Sequence, residues 1–312
     1  MKVLFLDRVN PYLRENLLRS GWDVADDLYS THAELLDKLS GVDGLVIRSR
    51  VPLDKTLLDR ARDLKFIARA GAGMENIDVE HATRLGVKCI HAPEGNRDAV
   101  AEHALGMLLC LMNKLNLVDR EVRQGVWKRE ENRGHELLGR TVGVIGYGNM
   151  GMAFARRLSG FSVLTYAYDK YRKDYADEHA IGVNMDAMFN EAEVVSLHVP
   201  LATDTHHLVN DAFLARFQNP VYLINTSRGK VVDTAALIRG LESGKVLGAC
   251  LDVLEYERTS FEGLDQTEMP EPMRYLINSP KVLLSPHIAG WTYESDLKIA
   301  SVLHGRIMES FG

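Results

Sequence analysis

The sequence has few of the residues and patterns that mark secreted, metal-binding and membrane proteins. It holds only 3 cysteines and 9 prolines in 312 residues. The cysteines, Cys89, Cys110 and Cys250, lie far apart and form no CxxC pair, which argues against a disulfide scaffold and a metal site. The longest apolar stretch, residues 104–112, is far shorter than the ~18 residues of a membrane span. We therefore expect reduced thiols, no metal, no membrane partner and a cytoplasmic location.

An excess of positive charge is also lacking. The 37 Lys and Arg residues are outnumbered by 43 Asp and Glu residues, which gives a net charge of -6. A protein that binds nucleic acid usually carries a basic surface that neutralises phosphates. We therefore expect a small-molecule partner rather than a nucleic acid. The length suits two domains of ordinary size.

Short apolar runs alternate with amphipathic stretches along the whole chain, which is typical of an α/β fold with parallel sheets. In the first part, strands are predicted at 3–6, 44–47 and 65–69, and helices at 11–20, 31–39 and 52–62. A long helix is predicted at 97–123. The remaining predictions are six strands at 142–145, 163–166, 194–199, 221–225, 247–251 and 282–284, a loop at 254–280 and a final helix at 292–311. Six strands complete a doubly wound dinucleotide-binding sheet.

A glycine-rich turn lies between the first of these six strands and a helix. Its sequence, from Gly146 through Gly148 to Gly151, is GYGNMG. Glycines at these positions allow a tight turn, the approach of a pyrophosphate to backbone amides, and close helix packing. Asp169 follows the next strand, about 20 residues further on, where a carboxylate accepts the ribose hydroxyls. Because a carboxylate repels a 2'-phosphate, we expect NAD rather than NADP as the cofactor.

Two further segments follow strands and carry residues suited to hydride-transfer chemistry. Such a reaction needs a base for the hydroxyl proton and a cation for a carboxylate. Arg228 lies in NTSRG after one strand, and His287 lies in SPHIAG after another. An arginine can grip a carboxylate with two hydrogen bonds, and a histidine titrates near neutrality. Taken singly, each residue fits a surface charge or a structural histidine equally well.

Together the motifs resemble the D-isomer-specific 2-hydroxy acid dehydrogenases over nearly the whole chain. In order they are IRSR at 47–50, GAGMENID at 71–78, HAPEGN at 91–96, AVAE at 99–102, GYGNMG at 146–151, HVP at 198–200, NTSRG at 225–229, LDV at 251–253 and SPHIAG at 285–290. The resemblance implies a Rossmann NAD-binding domain, residues 97–287, inserted into a flavodoxin-like substrate domain, residues 1–96 and 288–312. It also implies a homodimer, for which the apolar helix at 97–123 is the candidate interface.

The resemblance implies roles for individual residues. Arg228 binds the substrate carboxylate and carbonyl, His287 is the acid/base, and Glu257 holds the imidazolium. The implied cofactor-binding residues are Gly146, Tyr147, Gly148, Asn149, Met150, Gly151, Asp169, His198, Val199, Pro200, Thr205, Thr226, Ser227, Asp252, His287 and Gly290. The implied substrate-binding residues are Arg48, Ser49, Arg50, Ala72, Gly73, Asn76, Arg228 and His287.

The substrate is left open among related acids. Arg48 and Arg50 after a strand make a plausible anion pocket, which places phosphoglycerate narrowly ahead of glyoxylate, hydroxypyruvate and lactate-type substrates. The loop between Glu257 and His287 is longer than expected, with residues 259–267 as the extra stretch, and the regulatory domain of many phosphoglycerate dehydrogenases is not expected here. The alternative hypothesis to an enzyme is an NAD-sensing protein similar to transcriptional corepressors. A formate dehydrogenase is disfavoured, because that site is expected to have glutamine in place of Glu257.

Overall fold

The computed structural model describes residues 1–257 and 269–312. These residues form two compact units, one of residues 1–97 and 291–312, the other of residues 98–257 and 269–290. The sequence placed residues 288–290 in the first unit. They lie in the second because the backbone N–H groups of Ile288 and Ala289 donate to the carboxylate of Asp252, at 2.9 and 2.8 Å. The predicted extra stretch at 259–267 lies outside the described residues.

The first unit is built on a five-stranded parallel sheet. Its strands are β1 Lys2–Phe5, β2 Asp23–Asp26, β3 Gly44–Ile47, β4 Phe66–Arg69 and β5 Lys88–His91, in the order β2-β1-β3-β4-β5. This is the flavodoxin-like order. Its helices are α1 Pro11–Arg19, α2 His32–Leu35, α3 Lys55–Arg60, α4 Val79–Arg84 and, at the end of the chain, α12 Tyr293–Phe311. Alternate strand residues enter two cores, with Leu4 and Leu45 on one face and Val3 and Val46 on the other.

The second unit is built on a seven-stranded parallel sheet. Its strands are β6 Thr141–Ile145, β7 Leu164–Tyr168, β8 Ile181–Gly182, β9 Val194–Leu197, β10 Val221–Asn225, β11 Val246–Leu251 and β12 Val282–Leu284. Their order, β12-β11-β10-β9-β6-β7-β8, reverses between β9 and β6, as in dinucleotide-binding sheets. The helices are α5 Pro93–Met112, whose first turn belongs to the other unit, α6 Leu115–Arg123, α7 Asn149–Leu158, α8 Met185–Glu191, α9 Asp211–Ala215, α10 Thr234–Ser243 and α11 Glu271–Asn278.

The predicted α/β class and the two sheet types are confirmed, but several elements differ from the prediction. The helix expected at 97–123 is two helices, α5 and α6, because Lys114 between them has a left-handed conformation with φ 53°. The region expected to be a loop at 254–280 contains α11, which begins after Pro270. The short strands β2, β5 and β8 were not predicted, and β8 makes the second sheet seven-stranded rather than six-stranded.

Helix starts follow local capping rather than proline alone. Pro52 was expected to open a helix, but α3 begins at Lys55 because the side chain of Asp54 accepts a hydrogen bond from the N–H of Leu57. The final helix, α12, starts with a capping box in which Thr292 and Ser295 bind each other's backbone N–H groups. No helix in residues 1–257 and 269–312 is long and apolar enough to cross a membrane.

Candidate active site

Two positions in the turn after β6 must be glycine, because the neighbouring backbone leaves no room for a Cβ. Gly146 has φ +90°, and a Cβ there would lie 2.5 Å from the carbonyl oxygen of His198. A Cβ on Gly151 would lie 2.1 Å from the carbonyl oxygen of Gly146. Gly148, by contrast, caps the N-terminus of α7 and has open space around it. The turn therefore leaves room for a ligand at the helix N-terminus, where backbone N–H groups attract anions.

The side chain of Tyr147 does not belong to this open space. It is fully buried, packs near Tyr175 and donates a hydrogen bond from its hydroxyl to Asp177 at 2.8 Å. Burial and the Asp177 carboxylate raise the pKa of this phenol. The ring of Tyr147 therefore lies in the core, and the cofactor role of this residue stays a prediction. Asn149 and Met150 lie in the first turn of α7, where they are half-buried.

Asp169 organises the loop that follows β7. Its carboxylate accepts backbone hydrogen bonds from Tyr147 at 2.8 Å and from Tyr171 and Arg172 at 2.9 Å each. Partial burial opposes ionisation, but these donors together hold the pKa of Asp169 below its ordinary value. A carboxylate offers about four acceptor positions. One position remains on Oδ2 for a hydroxyl of a bound ribose, beyond the donors that the described residues supply.

The loop after β9 contains four of the predicted cofactor residues. His198 packs its ring against Phe154 and shares a 2.8 Å hydrogen bond with Ser196. Burial lowers the pKa of His198 to about 4, so the ring is neutral near pH 7. The hydroxyl of Thr205 donates to the carbonyl of Pro200 at 2.6 Å. Thr205 is buried and closes this loop, and its contact with the cofactor stays a prediction. Val199 is half-buried and Pro200 is exposed.

The loop after β10 carries Arg228. Asn225 holds this loop, since its Oδ1 accepts from the hydroxyl of Ser227 at 2.7 Å and its Nδ2 donates to the carbonyl of Arg228 at 2.9 Å. The hydroxyl of Ser227 is therefore engaged within the loop. The hydroxyl oxygen of Thr226 is buried and lacks a hydrogen-bond partner among the described residues. A buried polar atom of this kind is normally paired, so it marks a position where a ligand can bind.

His287 and Glu257 come together at the same edge of the sheet. The Nδ1 atom of His287 lies 3.0 Å from Oε2 of Glu257, and these side chains are 24% and 14% exposed. His287 has φ +56°, a strained conformation for a residue other than glycine. Its N–H donates to the main-chain carbonyl of Asp252 at 2.7 Å. Gly290, the last residue of the motif, is half-buried and ends the second unit.

Asp252 supports this turn with its carboxylate as well. The side chain is 1% exposed and accepts hydrogen bonds from the hydroxyl of Ser285 at 2.6 Å and from the backbone N–H groups of Ile288 and Ala289. The sequence placed Asp252 beside the nicotinamide. In the structure its carboxylate holds the loop that carries the histidine, and the place beside the nicotinamide stays a prediction.

The predicted substrate residues of the first unit divide into two groups. The loop at 71–77 is held in place by Asn76, whose Nδ2 donates to the carbonyl of Arg48 at 2.9 Å, and by His91, whose Nδ1 lies 2.7 Å from the carbonyl oxygen of Ala72. Ala72 and Gly73 remain half-buried, and so does Ser49. The amide of Asn76 therefore positions the loop.

The two arginines predicted to form an anion pocket are engaged within the unit. The guanidinium of Arg50 donates to the main-chain carbonyls of Leu6, Asp27 and Ser30 at 2.6 to 3.0 Å. The guanidinium of Arg48 pairs with the carboxylate of Asp296 and stacks on the ring of Trp291, 4.5 Å from its centroid. Of the two guanidinium groups, only Nε of Arg48 is buried without a hydrogen-bond partner among the described residues, and the anion pocket at these arginines stays a prediction.

The sequence did not single out His103, which the structure brings next to the SPHIAG motif. Its Nε2 lies 2.9 Å from the hydroxyl oxygen of Ser285 and 3.6 Å from Oδ1 of Asp252. His103 lies on α5, directly after the AVAE motif. A histidine on a largely apolar helix was the available signal, but without the fold nothing linked it to a serine far along the chain.

These features fit an NAD cofactor. The open N-terminus of α7 suits a pyrophosphate, the remaining acceptor position of Asp169 suits a ribose hydroxyl, and the unpaired Thr226 hydroxyl marks a polar contact on the same sheet edge. Within residues 1–257 and 269–312 no group of three or more His, Cys, Asp or Glu side chains is placed to hold a metal ion.

Residues 105–289 match the family model of the D-isomer specific 2-hydroxyacid dehydrogenase, NAD binding domain. The chain belongs to the D-isomer specific 2-hydroxyacid dehydrogenase family. NAD is therefore the cofactor of this unit, as the glycine-rich turn and Asp169 predicted. Family membership also explains why the motifs occur in one order along the whole chain.

Relatives within this 2-hydroxyacid dehydrogenase family carry different names. The D-3-phosphoglycerate dehydrogenase of Archaeoglobus fulgidus is 32% identical over 97% of this chain, which spans 56%, about half, of that relative's length. The hydroxypyruvate reductase of Thermotoga maritima is 34% identical over 89% of this chain and 88% of its own. The solved structure of D-2-hydroxyisocaproate dehydrogenase superimposes with a TM-score of 0.84 at 26% identity, covering 100% of this chain and 96% of its own. The family therefore leaves the acid open.

Proposed function

We propose that this chain catalyses NAD-dependent hydride transfer at C2 of a small D-2-hydroxy acid or 2-oxo acid. The observation that carries the proposal is the 3.0 Å contact between Nδ1 of His287 and Oε2 of Glu257. A histidine held by a carboxylate has the arrangement of a general acid/base. It follows β12, at the sheet edge where ligands bind in open α/β folds.

The roles of the residues follow from their chemistry. Bound NAD supplies the hydride donor or acceptor. During reduction, His287 donates a proton from Nε2 to the 2-oxo oxygen, and during oxidation it takes that proton back. Glu257 accepts the Nδ1–H hydrogen bond, which fixes the ring and stabilises the imidazolium. The planar guanidinium of Arg228 binds the carboxylate of the acid.

For the substrate we propose a small unphosphorylated acid such as hydroxypyruvate or glyoxylate. The argument for phosphoglycerate rested on Arg48 and Arg50. The guanidinium of Arg50 is engaged by main-chain carbonyls, and that of Arg48 by Asp296 and Trp291. A phosphate would have to displace these partners. The Asp296 carboxylate also neutralises much of the charge of Arg48, which weakens the attraction of Arg48 for a phosphate. This interpretation reverses the narrow preference that the sequence alone suggested.

The proposal is tested by following NADH absorbance with the purified chain and 3-phosphohydroxypyruvate, hydroxypyruvate, glyoxylate, pyruvate or 2-oxoglutarate. We expect oxidation with hydroxypyruvate or glyoxylate and little with the phosphorylated acid. In His287→Asn, kcat should fall by about 10³-fold while NADH still binds. Asp186→Ala, on an exposed surface pair with Arg216, is the matched control and should retain activity.

Each other outcome has a definite meaning. A kcat/KM that is highest with 3-phosphohydroxypyruvate would overturn the substrate class and return the assignment to phosphoglycerate. No oxidation with any acid, combined with measurable NADH binding, would overturn the enzyme and support an NAD-sensing protein. Activity that survives in His287→Asn would remove His287 from the acid/base role.

We further propose that the chain forms a homodimer through the segment from α6 to β6. No residue of α6 is buried, although the helix is amphipathic. Leu115 and Val122 on α6 are each 52% exposed, and Trp127 and Leu138 beyond it are 76% and 64% exposed. An apolar surface of this kind is typical of a subunit interface. Light scattering should give a dimer mass for the parent chain and a monomer mass for Val122→Asp, with Arg120→Ala as the control; a monomeric parent would refute it.

A further inference from the structure

His103 lies against the turn that carries the proposed acid/base, but the proposed mechanism gives it no part. It projects from α5 with 25% of its side chain exposed. Its Nε2 lies 2.9 Å from the hydroxyl oxygen of Ser285, two residues before His287 in the chain. The sulfur of Met107, one turn further along α5, lies 3.6 Å from the same hydroxyl oxygen. The helix therefore meets the loop at Ser285.

The direction of the hydrogen bonds can be worked out from the number of protons. Ser285 has a single hydroxyl proton, and its oxygen lies 2.6 Å from Oδ1 of Asp252. The Asp252 carboxylate also receives the N–H groups of Ile288 and Ala289, so it acts as acceptor throughout. Ser285 therefore donates to Asp252, and its oxygen accepts from an Nε2–H group on His103. His103 therefore donates to Ser285, and Ser285 donates to Asp252.

This chain of hydrogen bonds supports a strained residue. His287 has φ +56°, a conformation that is strained for a residue other than glycine and persists only where the surroundings hold it. Asp252 supplies that support twice, since its carbonyl accepts from the N–H of His287 and its carboxylate holds the next two residues. The orientation of Asp252 depends in turn on Ser285.

We propose that His103 is a positioning residue for His287, acting through Ser285 and Asp252. The Nε2–H of His103 fixes the Ser285 hydroxyl, the hydroxyl fixes the Asp252 carboxylate, and the carboxylate holds the turn that aims the imidazole of His287. The claim on turnover rests on the proposed function. The claim on geometry does not, because the orientation of the His287 ring can be observed without a substrate.

The test compares His103→Ala with His103→Gln, whose amide nitrogen can donate from a similar position. In His103→Ala we expect kcat to fall about tenfold, as for loss of one buried hydrogen bond, with the KM for NADH changed less than twofold. His103→Gln should recover most of kcat. His135→Ala, which removes an exposed histidine of the same unit, should behave like the parent.

A second readout is independent of activity. Long-range ¹H–¹⁵N spectra of the imidazoles, with His287 assigned from His287→Asn, should show the His287 signals shifted or broadened in His103→Ala and restored in His103→Gln. If the parent turns over no acid, the proposed function fails, yet these spectra still decide the role of His103. Unchanged His287 signals in His103→Ala would overturn the proposal, and so would a loss in His103→Gln as large as in the alanine variant.

A double-mutant cycle tests the route through the serine. If His103 acts through Ser285, His103→Ala combined with Ser285→Ala should lower kcat no further than Ser285→Ala alone, because the two changes break one chain of hydrogen bonds. Multiplied effects in the double variant would show separate roles and overturn the proposed route. The same cycle can be read from the His287 signals if the variants lack activity.

Discussion

Asp169 and Asp252 stand in equivalent places of one sheet but have different surroundings. Each follows a strand, β7 or β11, and each accepts backbone N–H groups from a neighbouring loop. Asp169 is half-buried, and all its protein donors are backbone N–H groups. Asp252 is 1% exposed and also receives the hydroxyl of Ser285. At the same sheet edge, Asp169 is therefore partly exposed to water, whereas Asp252 is enclosed by protein.

The difference lies in burial, which leaves Asp169 partly open to water and encloses Asp252 in protein. If Asp169 were removed, water could reach two of its three donors, the exposed N–H groups of Tyr171 and Arg172. An acceptor position on Asp169 also remains open for a ribose. If Asp252 were removed, the buried N–H of Ala289 would be left without its partner, which costs more than the hydrogen bond itself is worth. We therefore expect changes at Asp252 to affect stability and changes at Asp169 to affect cofactor binding.

The largest effect is expected for Asp252→Ala. The change removes the acceptor of the buried Ala289 N–H, of the Ile288 N–H and of the Ser285 hydroxyl, so the free energy of unfolding should fall by about 3 kcal/mol. Urea denaturation of the variant and the parent measures the difference. Asp186→Ala, at a position whose side chain is 78% exposed, should cost about 0.5 kcal/mol or less. Equal losses in the two variants would contradict the role of burial.

The second effect concerns His198, which follows a strand between those of the two aspartates. Burial lowers its pKa to about 4 from the ordinary 6.5, so the unfolded chain binds a proton first as pH falls. The contribution of the neutral ring is therefore present above pH 6.5 and lost as pH falls towards 4. Between pH 7 and pH 5 the free energy of unfolding should fall about 2 kcal/mol further in the parent than in His198→Gln.

Urea denaturation at the two pH values measures this difference. His135→Gln changes an exposed histidine and should give the same pH dependence as the parent. If the parent and His198→Gln lose stability in parallel between pH 7 and pH 5, the ring of His198 is accessible to protons in the folded chain. Burial would then not explain why the residues that follow the strands of this sheet behave differently.

The same contrast explains which parts of the molecule the sequence could predict. The glycine turn, Arg228 and His287 each follow a strand directly, so the strand pattern and the local motif together indicate their place at the sheet edge. His103 and Ser285 meet only after α5 packs against the sheet, and no local pattern records that contact. The contacts of Arg50 could not be predicted for the same reason, because its guanidinium donates to carbonyls of two separate segments, Leu6 and residues 27–30.

The predicted bounds of helices were wrong where a single residue overrides the hydrophobic pattern. The break between α5 and α6 occurs at Lys114, a residue with no intrinsic preference for the left-handed conformation it adopts there. The helix α11 was missed although Pro270 and Pro272 stand at its start, where proline is favoured, because prolines and charges nearby obscured its periodicity. The two-residue β8 is too short for any alternation to be visible.

The smallest effect, and the sharpest test of the comparison, is expected for Asp169→Ser. The change removes a charge that repels a 2'-phosphate while Lys170 and Arg172 stay nearby, so the ratio of the Kd for NADPH to the Kd for NADH should fall about tenfold. The free energy of unfolding should change by about 1 kcal/mol or less, because water can reach the freed N–H groups of Tyr171 and Arg172. Fluorescence titration of both cofactors measures the ratio. Asp211→Ser, on an exposed pair with Arg239, is the control. If both Kd values rise together at an unchanged ratio, Asp169 serves only to hold its loop, and it would then resemble Asp252 in use as well as in position.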